Sequence, residues 1–108
     1  MTILANGQVA TTKSTIFEAN DPSSSGDGEV KIEKISFFNT NSTQQTAILF
    51  IKKRNSTSIK LRQFVLLENE GGEYLEPGES LPLDNGDIIE AQTTTASAVD
   101  FIVFGTTA

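Results

Sequence analysis

A chain of 108 residues with neither cysteine nor histidine has no thiol nucleophile, no disulfide framework, no cysteine zinc site and none of the residue most used for proton transfer near neutral pH. Any catalysis would rest on carboxylates or hydroxyls alone, and no cofactor or metal is expected. A chain of this length can bury about two-thirds of its unfolded surface as one domain, and a net charge of −6, from 14 acidic and 8 basic residues, favours solubility and disfavours general nucleic-acid binding.

The amino-terminal residues show no basic region followed by a long apolar run, so no signal peptide is expected. No apolar stretch approaches the roughly 20 residues that span a bilayer, so no membrane partner is expected either. Residues 1–13 are predicted to be an extended arm, with a turn signal at Asn6-Gly7, and residues 14–108 the folded domain. In the arm Ile3, Leu4 and Val9 are too few to form a core strand, which makes them candidates for ordering against a partner chain by adding a strand to an open sheet edge. Ser14 to Ala19, with Ile16 and Phe17, predicts a short edge strand. Asn20 to Gly28 predicts a loop, because Pro, Gly and Ser offer no apolar face to pack.

Three segments rich in Ile, Val, Leu and Phe follow: Val30 to Asn39, Thr46 to Arg54 and Ser58 to Leu67. Polar turn-forming runs separate them, which predicts strands joined as antiparallel hairpins. In the first, Val30 and Ile32 share one phase and Ile35 and Phe37 the other, so a β-bulge or a change of sheet is predicted near Glu33 and Lys34. The second is apolar in both phases, with Ala47, Leu49 and Ile51 opposite Ile48 and Phe50, which predicts a central strand.

Beyond it, Glu68 to Gly72 predicts a turn and Glu73 to Leu75 a short strand. Glu76-Pro77-Gly78-Glu79 has the Pro and Gly placement of a type II turn. Leu81 and Leu83 alternate as in a brief strand, and Asp84-Asn85-Gly86-Asp87 predicts a tight turn. Ile88 to Thr93 and Ala98 to Gly105 complete the set, the last with Val99, Phe101 and Val103 in one phase and Ile102 and Phe104 in the other. No segment sustains a helical period. Eight or nine short strands with frequent turns predict an all-β domain, an antiparallel β-sandwich of Ig-like or jelly-roll-like type.

Few groupings suggest chemistry. Asp84 to Asp87 resembles part of a calcium loop, but a full loop needs about a dozen residues ending in a bidentate Glu, and Glu90 lies too close. Asp21, Asp27 and Glu29 flank the Ser-rich loop and are read as solvated acids. Asn41-Ser42-Thr43 and Asn55-Ser56-Thr57 match the N-glycosylation acceptor pattern, which without a secretory signal is read as chance. The hydroxyls of Thr93 to Thr95 have no neighbouring base to activate them. Carbohydrate binding is disfavoured by the absence of Trp and a single Tyr, Tyr74. The charge pattern is more informative. Lys52, Lys53, Arg54, Lys60 and Arg62 place five basic residues in a window free of acids, which leaves −11 on the rest of the chain. They are read either as solubilising charge at a strand end or as a contact for an acidic protein surface.

The succession Leu4, Asn6-Gly7-Gln8, Thr15-Ile16-Phe17, Ile32, Ile35, Phe37, Asn39-Thr40, Leu75, Pro77-Gly78-Glu79, Leu83, Gly86-Asp87, Ile89 and Ala91 resembles small β-sandwich accessory virion proteins of tailed bacteriophages. The resemblance implies a non-enzymatic capsid decoration (cement) protein, or a neck, tail or head-fibre subunit. It also implies residence in the virion after synthesis in the host cytoplasm, with the major capsid protein as partner and homo-oligomers, trimers foremost. A carbohydrate-binding β-sandwich module is the alternative from another class.

Overall fold

The computed structural model describes residues 2–19, 30–54, 56–76, 78–84, 86–95 and 98–107. Nine strands run through them: β1 (Thr2–Gln8), β2 (Ser14–Glu18), β3 (Val30–Asn39), β4 (Gln45–Lys52), β5 (Ser58–Leu66), β6 (Gly71–Tyr74), β7 (Leu81–Leu83), β8 (Ile88–Thr93) and β9 (Val99–Thr107). No helix occurs among the described residues. The strands form two antiparallel sheets, β1-β9-β3-β6 with β7 also on β3, and β2-β8-β4-β5. Their inner faces enclose one core in which Ile32, Ile35, Leu49, Leu83, Ile89, Val99 and Val103 are fully buried. Phe37 from the first sheet meets Phe64 from the second with ring centroids 5.4 Å apart.

β7 pairs with Val30–Ile32 and β6 with Ile35–Phe38, so both lie end to end along one side of β3. They act as two halves of one interrupted strand. Counted that way, the orders become first-eighth-third-sixth and second-seventh-fourth-fifth, the two interlocked sheets of a jelly roll rather than an Ig-like sandwich.

The bulge expected near Glu33 is present. The β3–β9 register shifts between Ile32 and Lys34, and Val30, Ile32, Ile35, Phe37 and Asn39 all end up buried. β4 lies between β8 and β5 as a central strand. The turn at residues 76–79 closes with Glu79 N–H on Glu76 O at 2.9 Å. Gly78 there takes φ of 90°, the positive value that the third position of a type II turn needs.

Three expectations need correction. The first is that β3, β4 and β5 follow one another as hairpins. Only β4 and β5 pair, because the chain crosses from one sheet to the other between β3 and β4. Alternation of apolar residues specifies which face is buried, and it carries no label for the sheet to which a strand belongs. The second concerns residues 1–13. Thr2–Gln8 is not an arm outside the domain but the edge strand of the first sheet, bonded along β9, and Val9 is part of the core. Its backbone N–H donates to Val99 O at 2.9 Å. Asn6-Gly7 lies inside this strand and makes no turn. An edge strand needs little apolar side-chain area of its own when a neighbour supplies the backbone ladder and most of the core contact. The third is that Gly71-Gly72 belong to a turn. They open β6 because a Cβ on Gly72 would stand 2.8 Å from Phe64 Cδ1, so glycine here serves close approach between the sheets.

The cost of losing the arm's core residue differs sharply from that of losing its exposed one. Val9→Ala should lower stability by about 1–2 kcal/mol through lost burial and a small cavity, whereas Ile3→Ser, at a position 52% exposed, should stay within about 0.5 kcal/mol. Denaturant unfolding of the two variants measures the contrast, and equal effects would contradict this placement of β1.

Candidate interaction surfaces

The jelly roll gathers its connections at two ends, with Asp87 buried at one and Asn39 at the other. At one end residues 53–57 join β4 to β5 and residues 84–87 join β7 to β8. Asp87, 1% exposed, reaches across: Oδ2 accepts from Lys53 Nζ at 2.5 Å and from Asp84 N at 2.9 Å, and Oδ1 accepts from Arg54 N at 3.0 Å. The Asp87 carbonyl accepts from Ala19 N, and Gly86 N donates to Ala19 O, so the exit of β2 is tied in as well. Burial pushes the Asp87 carboxyl upward. The hydrogen bond and charge of Lys53 and the two backbone donors outweigh it, and the group is held below the usual aspartate range. The hydrogen bond and charge of Asp87, with the weaker pull of Asp84 at 3.8 Å, push the Lys53 ammonium up.

The basic window is therefore divided. Lys53 is committed to Asp87, and the stem of Arg54 covers Gly86. Lys52 and Lys60 stand on the outer face of the second sheet, Lys60 donating to Gln63 Oε1 at 2.8 Å. Arg62 lies in the inward phase opposite Leu49, at the open side of the sandwich, with its guanidinium 5.0 Å over the Phe64 ring. The five charges do not form a single patch. At the Asp84–Asp87 turn the Asp87 carboxylate spends its acceptors on protein donors, and Asp84, largely exposed, only approaches Lys53. Among the described residues no group of three or more acids is placed to hold a metal ion. Asp21, Asp27 and Glu29 lie outside the described residues.

The outer face of the first sheet is the more continuous apolar surface. The register places Ile3 beside Phe104 and Phe104 beside Lys34, with Asn6, Ile102 and Ser36 in the next row and Gln8, Asp100 and Phe38 in the one after. Ile3 and Phe38 are 52% and 44% exposed, and Ile102 and Phe104 are half-buried between them. The Lys34 ammonium lies 5.2 Å over the Phe104 ring and 2.9 Å from Glu73, so a cation partly roofs the apolar row without closing it. A shallow recess of about 360 Å³ is lined by Ile3, Asn6, Gly7, Asp100, Phe101 and Ile102.

Of the arm residues named from the sequence, Ile3 belongs to this face, Leu4 packs partly against the core, and Val9 is buried. Phe38, Ile102 and Phe104 were not singled out as surface residues. For Ile102 and Phe104 the signal was the second apolar phase of β9, which reads equally well as a strand covered on both faces; Phe38 lies on β3. No family model, no curated protein and no solved structure matches this chain.

Proposed function

We propose that this chain is a non-enzymatic virion structural protein, a capsid decoration protein of a tailed bacteriophage, which binds the assembled head through the outer face of its first sheet. The observation that carries the reading is the run of Ile3, Phe104, Ile102 and Phe38 across three rows of this face, the first and last exposed and the middle two half-buried. A small soluble domain rarely leaves such a face without a partner, and the jelly roll is a recurrent architecture of capsid proteins. The absence of His and Cys from the sequence favours binding over catalysis. A decoration protein that binds only the assembled head stabilises it by mass action, and its rigid sandwich needs no rearrangement to do so.

Purified protein mixed with heads of the phage whose genome encodes it should comigrate with them on a density gradient, saturate at a fixed ratio and raise their disassembly temperature. Ile102→Glu together with Phe104→Glu should abolish comigration and leave the melting temperature of the free protein within a few degrees of wild type, since both side chains face outward. Heads that band without the protein, or a protein that instead binds glycans on an array, would overturn the proposal.

A further inference from the structure

The side of the sandwich where β5 and β6 form the two sheet edges has its own construction. Near the start of β6 the seam between the sheets is closed, because Gly72 lies against Phe64 and Leu66. At Leu75, with φ of 77°, a value uncommon for a residue that carries a Cβ, the chain swings away from β3 and returns only at β7. Between β6 and β7, Glu33 and Lys34 of β3 have no partner strand on this side. Arg62 and Ile59, in the inward phase opposite Leu49 and Ile51, are left outside, Ile59 being 56% exposed. A groove of about 860 Å³ remains, lined by Arg62, Gly72, Tyr74, Leu75, Glu76 and Glu79 among others.

Charges of opposite sign form two stripes at this flank, Arg62 in the groove with Lys60 on the outer face of the same strand making one and Glu76 and Glu79 the other. β5 bears Lys60 and Arg62 and no acid, and Arg62 is the last basic residue of the chain. The stretch beyond it bears Glu68, Glu70, Glu73, Glu76 and Glu79 and no base. Of these five, only Glu73 makes an ion pair among the described residues, with Lys34 on the outer face. The interruption between β6 and β7 and the lysine on β5 blunt both edges against backbone pairing, so a partner would meet side chains.

We propose that this flank docks a second copy of the chain about a two-fold axis that runs parallel to the strands, between the stripes. That operation lays Lys60 and Arg62 of each copy on Glu76 and Glu79 of the other, twice per interface, and brings the two Ile59 side chains to the same level. The self-complementary pattern is what an isologous contact requires. The two stripes differ in sign along one flank, so no other surface need be invoked. The pairing replaces the trimer implied by the virion resemblance with a closed dimer. Ser36 and Phe38 at the margin of the first sheet's outer face also line the groove, but the pairing concerns the protein in solution and is tested there, so it stands or falls separately from head binding.

Sedimentation of the full-length protein tests it. A reversible dimer should form at 0.1 M salt and weaken at least about tenfold (about 1.4 kcal/mol) by 1 M, as the Debye length falls from about 10 Å to about 3 Å. K60E/R62E and E76K/E79K should each sediment as monomers, because either change sets like charges on each other across the axis. An equimolar mixture of the two should restore the dimer, since both contacts of the mixed pair are then opposite in sign. K60Q/R62Q should weaken the dimer without repulsion and serves if a charge reversal fails to fold. A wild-type monomer, a trimer, a dimer unmoved by these substitutions, or a mixture of folded reversals that stays monomeric would each overturn the proposal.

Discussion

Replacing Asp87 with Ala should lower the stability of the fold by about 3 kcal/mol. The substitution strips Arg54 N–H and Asp84 N–H of their acceptor and leaves Lys53 facing a gap. An unpaired buried donor costs about 1–3 kcal/mol, while Lys53, half-exposed, can turn to water and adds little. Asp87→Asn should cost nearly as much, because its NH₂ group would face a donor wherever its oxygen does not. The pH response separates a charge effect from a packing effect. The Asp87 carboxyl is held below its ordinary value in the folded state. Its contribution is therefore complete above the unfolded pKa of about 3.9 and is lost as pH falls through the lower folded value. The stability gap between wild type and Asp87→Asn should be constant from pH 7 down to about pH 5 and should close below about pH 4. Urea midpoints measured across that range check it, and a gap that stays open in acid would mean that the charge contributes nothing.

Both end closures explain what was and was not legible in the sequence. Outside β1 and the start of β6, strand positions were legible because they follow from local alternation. Val30 to Asn39 and Ile88 to Thr93 coincide with β3 and β8, and the phase slip from Ile32 to Ile35 announced the bulge. Sheet membership was not legible, since it depends on contacts between residues distant in the chain. Asp87 pairs with Lys53 from 34 positions away. From the sequence Asp87 reads as a turn former and Lys53 as one of five surface cations. Only the fold reveals that the turn acid faces inward and takes one cation out of the set. The β6–β7 interruption was legible as the Glu76–Glu79 turn between two short strands, but that both strands lie along β3 was not. Leu75 gives no local sign of its positive φ.

The opposite end is closed by Asn39, and its replacement should cost as much as that of Asp87 but respond to pH in the reverse sense. Asn39 is fully buried at the crossing from β3 to β4. Its Nδ2 donates to Thr43 O at 2.9 Å, Leu66 O at 3.0 Å and Leu67 O at 3.1 Å, and its Oδ1 accepts from Asn41 N at 2.8 Å. Two hydrogens serve three carbonyls, so one is shared. The side chain thereby joins the crossing to the exit of β5, which the backbone bond from Asn39 N to Glu70 O reinforces. Asn39→Ala should lose about 3–4 kcal/mol by orphaning these groups together. Asn39→Asp keeps the shape but turns the donor into an acceptor aimed at three carbonyl oxygens. Burial and these dipoles disfavour its ionised form, so the folded-state pKa of the introduced acid should lie above its unfolded value. The variant should be least stable at pH 7 and recover as pH falls and the acid regains a donor, over a range in which wild type gains nothing. Unfolding midpoints at pH 7 and pH 5 decide the matter: an Asn39→Asp variant whose stability runs parallel to wild type between them would show that Nδ2 is not what holds this end closed.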